Sequence, residues 1–171
     1  QRVMTSRGER PGAILICGEK ILDVVSIQEI PSHCPVEDIG NDVIMPGLVD
    51  THVHINEPGR TDWEGFETAT KAAASGGITT LVDMPLNSIP VTTTVDALKQ
   101  KFLVTQDQLW VDCGFYGGLI PDNLQDLESL ADAGVLGFKA FLSHSGIDEF
   151  PNITEEHLRE ALPVFTKKGV P

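Results

Sequence analysis

Cysteine is scarce in this chain, and what there is of it is unpaired. Cys17, Cys34 and Cys113 are odd in number, far apart and contain no C-x-x-C pair. That excludes a disulfide framework and a cysteine-based zinc site, and it fits a reducing, intracellular compartment, with cytoplasm, peroxisome and mitochondrion equally compatible. Basic residues are also few: 12 Lys and Arg face 25 Asp and Glu, for a formal net charge of −13. A phosphate backbone or an anionic membrane surface would be repelled by such a surface, so neither nucleic acid nor membrane is expected as a partner, and the charge itself reads as solubility. No stretch free of Asp, Glu, Lys and Arg approaches the ~18 residues that a membrane span needs. An initiator Met and a charged-then-apolar leader are missing before Gln1, and no targeting tail is visible at Val170 and Pro171, so the ends are expected to be cut rather than natural.

What is present is enough for a domain with a real core: 171 residues, 41% of them hydrophobic and 22% charged. The run from Val43 to His54, VIMPGLVDTHVH, organises the rest. Apolar residues lead up to Asp50, and two histidines then arrive one residue apart, which predicts a buried strand with His52 and His54 at its end. Side chains at i and i+2 of a strand share a side, about 7 Å apart along the backbone, and imidazoles of that reach can converge on one ion. The same spacing also suits a half-exposed, hydrogen-bonded pair.

Upstream, AILICGEKILDVVSI from Ala13 to Ile27 predicts a hairpin turning at Gly18, Glu19 and Lys20, and residues 31–42 read as the loop into the first main strand. Downstream, strand and helix alternate with a period near 30 residues, as βαβ units require. Trp63, Phe66, Ala69 and Ala73 mark a first helix, with Trp63 and Phe66 expected in the core, closing on Ser75, Gly76 and Gly77. Ile78–Met84 is a second strand, Thr93 and Thr94 cap a helix over Val95–Val104, and Trp110–Leu119 is a third strand. Leu124, Leu127 and Leu130 stripe a third helix, Gly134–Leu142 is a fourth strand, and Thr154 caps a helix lasting to about Lys168. Four βα repeats predict an α/β fold that is a partial TIM-type (β/α)₈ barrel. Residues 1–42 are then part of a small β domain with its linker, and residues 43–171 are the first half of the barrel, stopping before strand 5. The chain is expected to be a piece of a larger enzyme.

Lys139 lies in that fourth strand among Val135, Leu136, Phe138, Phe141 and Leu142, where an ammonium is costly to bury and its pKa is pressed downward. A lysine reaching to solvent from the strand end fits the pattern too.

MPGLVDTHVHINEPGR, with Pro46, Gly47 and Asp50 before the histidine pair and Asn56 to Arg60 after it, resembles the opening metal motif of the cyclic amidohydrolases, and more narrowly of the allantoinases. The G-F-K setting of Lys139 is similar to the place where that family carries a lysine that takes up carbon dioxide as a carbamate. DMPLNSIP (Asp83 to Pro90) and SGIDEFP (Ser145 to Pro151) resemble allantoinases rather than hydantoinases or dihydropyrimidinases. The likeness covers essentially all of residues 43–171.

The resemblance implies two divalent ions, zinc by expectation, held by His52, His54 and a bridging carbamylated Lys139. It implies substrate contacts from Asn56 and Asn87 and hydrolysis of allantoin to allantoate. Dihydroorotases usually carry an arginine where Asn56 stands, and an amide there suits a neutral cyclic ureide better than a carboxylate. Asn56 and Asn87 also suit turns. Two more histidines and the proton-carrying aspartate come from later strands in the family, so no general base is expected within this chain, and no turnover from it alone. A homo-oligomer is expected of the full-length enzyme. Hydantoinase or dihydropyrimidinase chemistry is the alternative activity, and a truncated, non-catalytic isoform the alternative role. His33 has no partner in sequence, His144 sits in a polar SHSG loop, His157 reads as a solvated helix residue, and Arg60 as a loop anchor left outside the site.

Overall fold

The computed structural model describes residues 2–171, and the chain divides into two compact units between Gly47 and Leu48. In the first unit, β1 (Arg2–Thr5) pairs antiparallel with β2 (Gly8–Arg10), and β3 (Ala13–Cys17) pairs antiparallel with β4 (Lys20–Val25). The β3–β4 hairpin is the one expected, with Gly18 at φ +59 supplying the left-handed turn residue. β5 (Val43–Ile44) lies parallel to β1, with Arg2 opposite Val43 and Val3 opposite Ile44. The long strand expected from Val43 to His54 is therefore two strands. Met45, Pro46 and Gly47 interrupt it, because Pro46 has no N–H for a ladder.

In the second unit, β6 (Leu48–Val53), β7 (Ile78–Asp83) and β8 (Asp112–Phe115) form a parallel sheet in that order. β9 (Gly117–Gly118) follows β8 after Tyr116 and pairs in parallel with β10 (Phe138–Lys139). The run of β8 and β9 thus bonds to β7 along its first half and to β10 along its second, the Leu136 N–H donating to the Phe115 carbonyl and the Gly117 N–H to the Gly137 carbonyl. The third and fourth runs are shorter as regular strand than the expected Trp110–Leu119 and Gly134–Leu142. At Gly114, Gly117 and Gly118 a Cβ would come within 3 Å of Leu136, Phe138 and Phe150, so these positions admit only glycine at that spacing.

Helices follow the strands: α1 (Phe66–Ser75) after β6, α2 (Val95–Val104) after β7, α3 (Leu127–Asp132) after β9 and α4 (Glu155–Lys168) after β10. The starts of α1, α2 and α4 have local chemical causes. Thr94 accepts from the Ala97 N–H at 3.2 Å. α1 begins at Gly65, which has no side chain, so the buried Glu57 of the preceding loop takes the Phe66 N–H at 2.9 Å instead. At α4 the Thr154 N–H donates to His157 Nδ1 at 3.1 Å, which makes the half-buried His157 a capping residue where a solvated one was expected. Gly169 ends α4 at φ +67.

Ile55, Phe66, Leu81, Leu98 and Phe115 fill the core between the sheet and α1–α2, and Leu119, Leu127, Ile153 and Phe165 fill that between β9–β10 and α3–α4. Trp63 departs from expectation. It precedes α1 and is 67% exposed, lying under the Arg60 guanidinium, whose carbon stands 5.2 Å from the ring centroid. Leu48 and Val49, at the start of β6, are exposed too. A third core of Met84, Leu86, Val91 and Phe150 lies beyond the strand ends and fastens the DMPLNSIP segment to the SGIDEFP segment. These loops are packed, and their backbones can hold a fixed shape.

Candidate metal centre

The ends of β6 and β10 bring His52, His54 and Lys139 together. His52 Nε2 lies 3.3 Å from His54 Nε2 and 3.1 Å from Lys139 Nζ. The β6–β7 register shifts between Asp50 and Val53, so the ladder slips at the histidines, a local irregularity of the kind that re-aims side chains at strand ends. Asp50 holds the turn by accepting from the His52 N–H at 3.1 Å. The two imidazole rings stand 5.3 Å apart at a 45° tilt, too oblique to stack, with one nitrogen of each facing the other.

Burial acts on two members of this cluster, Lys139 and His54, while His52 is exposed. Burial lowers the pKa of Lys139, whose Nζ also lies 5.0 Å above the Phe141 ring. It lowers that of His54 as well, helped by the neighbouring Lys139 charge and opposed by the Leu86 backbone. His54 Nδ1 is buried without a hydrogen bond of good geometry. Neutral imidazole and neutral amine are the forms that donate lone pairs to a metal, and the convergence of His52 Nε2, His54 Nε2 and Lys139 Nζ fits such an ion. Among the described residues no group of three or more His, Cys, Asp or Glu side chains is arranged to hold one, so the set depends on Lys139.

A buried strut stands behind His54. Asp83, at the end of β7, accepts the Ile55 N–H at 2.8 Å through Oδ1, while Lys101 of α2 donates to its Oδ2 and to the Met84 carbonyl. Both side chains are fully buried. Burial pushes the Asp83 carboxyl up to about 6, with the Lys101 charge and hydrogen bond pulling it down. Sequence pattern singles out neither residue, because an aspartate at a strand end also suits a turn and a lysine on an amphipathic helix also suits the surface.

Asn56 and Asn87 are half-buried in the loops that follow β6 and β7. The Asn56 N–H donates to the Glu64 carbonyl at 3.1 Å, and Asn87 sits at φ +81. Arg60 joins them: its N–H donates to the Asn56 carbonyl at 2.9 Å and its Nη1 to the Asn87 carbonyl at 3.0 Å. His144 is exposed and turned to its own loop, with Nδ1 accepting the Gly146 N–H at 3.0 Å. A concavity of about 850 Å³ lined by Ala74, Ile78, Trp110 and Cys113 opens at the starts of β7 and β8, the opposite end of the parallel sheet from the histidines. Its Cys113 thiol is pushed up to about 12 by burial, then by the Asp83 charge, so it offers no nucleophile.

Comparison with known proteins accords with this arrangement. Residues 43–170 match the amidohydrolase family. The chain is 57% identical over 162 residues to the allantoinase of Streptomyces avermitilis and 52% identical over 151 residues to that of Saccharomyces cerevisiae, covering 94% and 88% of this chain. It spans 36% and 33% of those relatives, about a third of their length. Among solved structures, an L-hydantoinase (dihydropyrimidinase) from Arthrobacter aurescens superposes with a TM-score of 0.84 at 31% identity, covering 99% of this chain and 38% of that one. A D-hydantoinase from Thermus sp. shares the fold at a TM-score of 0.78 and 23% identity, over 99% of this chain and 37% of that one.

Proposed function

The chain belongs to the amidohydrolase family, with an α/β fold of the hydantoinase type, and from that premise we propose that it forms the metal-binding half of an enzyme that hydrolyses a ring amide of allantoin to give allantoate. The observation that carries this reading is the meeting of His52, His54 and Lys139 at the ends of two staves. The four βα units are read as half of a (β/α)₈ barrel, whose chemistry lies at the C-terminal ends of its strands. A bond from the Phe138 N–H to the Pro171 carbonyl, 2.8 Å, supports a further stave beside β10.

His52 and His54 would hold one of two divalent ions, zinc by expectation, and Lys139 as its carbamate would bridge them. Bound there, such ions would supply a polarised amide carbonyl and an acidified water. Lys139 prepares its own ligand. Its neutral amine adds through the nitrogen lone pair to the carbon of carbon dioxide, a C–N bond forms, one C=O pair moves onto oxygen, and the nitrogen gives up a proton. His52 Nε2, 3.1 Å away, is placed to receive it. Asn56 and Asn87 each offer an amide donor and an acceptor, matched to a neutral ring of alternating N–H and C=O groups. The aspartate that carries the proton to the leaving nitrogen, and two further histidines, are proposed to come from strands after α4.

The test is a substrate panel of allantoin, hydantoin and dihydrouracil on the complete enzyme with its metal content measured. Preferential opening of allantoin is the expected result. Preference for hydantoin or dihydrouracil would move the assignment to the activity named for the Arthrobacter structure, and no hydrolysis of any of them by metal-loaded protein would end it.

A further inference from the structure

We propose that Arg60 is a positioning residue that sets the distance between Asn56 and Asn87 and so tunes substrate affinity; this rests on the two asparagines touching the ring. Three loops leave the strand ends at which the nitrogens converge: one after β6, one after β7 and one after β10. Arg60 reaches all three: it lies in the first, its side chain bonds to the second, and it faces a carboxylate of the third. Its backbone N–H takes the Asn56 carbonyl at 2.9 Å, its Nη1 takes the Asn87 carbonyl at 3.0 Å, and its Nη2 stands 3.7 Å from the Glu149 carboxylate. The side chain is 20% exposed, and its guanidinium carbon stands 5.2 Å from the centroid of the Trp63 ring.

Each contact has a distinct consequence. Asn87 lies in the left-handed region at φ +81, where a non-glycine residue persists only when its surroundings hold it. Arg60 supplies that hold through the Asn87 carbonyl. A second clasp sets the same two loops together, the Ile89 N–H donating to the Pro58 carbonyl at 2.8 Å, and a Cβ on Gly59 would strike Ile89. Glu149 is half-exposed, so its ion pair adds little energy, yet it fixes which way the guanidinium plane faces. A guanidinium can serve two divergent acceptors while stacked on an indole, and an ammonium cannot. Arg60 touches none of His52, His54 or Lys139 in these contacts, so metal binding should not depend on it.

The experiment compares Arg60→Met, Arg60→Lys and Glu149→Gln with the parent in the complete, metal-loaded protein, by steady-state kinetics on allantoin, metal content and backbone hydrogen exchange. The expected result for Arg60→Met is a KM raised about tenfold or more with kcat within about threefold and metal content unchanged. Exchange should quicken in residues 86–90 and 145–150 but not in α4. Arg60→Lys should fail to restore KM, and Glu149→Gln should give a smaller shift in the same direction. A KM within about twofold of the parent, a fall in kcat with lost metal, full rescue by lysine, or exchange quickened across the whole molecule would each overturn the proposal. If the parent itself opens no cyclic ureide, the functional reading falls. The exchange pattern then decides on its own whether Arg60 holds the two asparagine loops, and unchanged exchange overturns that as well.

Discussion

Lys101 and Asp83 form an ion pair with both side chains fully buried, and the same carboxylate accepts the N–H of the residue that follows His54. The pair therefore ties α2 to the end of β7, and through Ile55 to the end of β6. A lone buried carboxylate is far less tolerable than a paired one.

Lys101→Met should lower unfolding free energy by about 3–5 kcal/mol, because it leaves Asp83 desolvated without its cation. Adding Asp83→Asn should recover part of that, since a neutral amide still accepts from the Ile55 N–H. Urea midpoints at constant slope make the measurement. A loss below about 1 kcal/mol would mean that water reaches the pair after all.

Glu57 gives α1 the cap that Gly65 cannot. Glu57→Ala should cost about 1–2 kcal/mol, and Glu57→Gln less, because the amide oxygen still accepts while only the charge facing the helix N-terminus is lost. Thermal melts of the two variants should rank in that order; equal losses would assign the whole effect to charge.

Cys113 should resist thiol reagents in the folded protein at pH 8 while the exposed Cys17 reacts, since a thiol pushed up to about 12 leaves only about one part in ten thousand as thiolate. The sign of the stability effect follows. Below the ordinary value of 9.0 both folded and unfolded thiols are protonated and nothing changes; above it the unfolded thiol ionises first, so stability falls as pH rises from about 9 toward 12. At pH 10 the loss should be about 1 kcal/mol, and Cys113→Ala should flatten that limb of the curve. Mass-mapped labelling that finds Cys113 as reactive as Cys17 would overturn this.

The order of elements was legible because its signals are local. Thr94 before α2, Thr154 before α4 and Gly169 after it act within a turn of chain, and the glycines at the end of α1 do the same. The convergence of His52, His54 and Lys139 was legible for a related reason: all three stand at the ends of parallel strands, and parallel strands end on one side of a sheet. What escaped was pairing at a distance. Val43 and Ile44 read as continuous with β6, but their ladder partners are Arg2 and Val3, which no nearby pattern names. Trp63 follows the helical spacing of Phe66, yet it lies ahead of the helix under Arg60. Lys101 looks like a surface lysine until Asp83 is set beside it, and Arg60 looks like a loop anchor until its second and third partners arrive from β7 and β10.

Lys139 should differ from an ordinary lysine in how it responds to carbon dioxide. Burial lowers its pKa, so at any pH below the usual lysine value a larger fraction is neutral amine, the form that adds to carbon dioxide. Metal uptake by the complete enzyme should therefore rise with added bicarbonate and with pH, and ¹³C-bicarbonate should give a carbamate carbon signal that Lys139→Ala removes. On the proposed ligand assignment, His52→Ala should lose metal whether or not bicarbonate is present, because its imidazole would bind without the carbamate. If Lys139→Ala kept both the metal and its bicarbonate dependence, the lysine would be a neighbour of the site and not one of its ligands. The 3.1 Å approach to His52 would then be a hydrogen bond and nothing more.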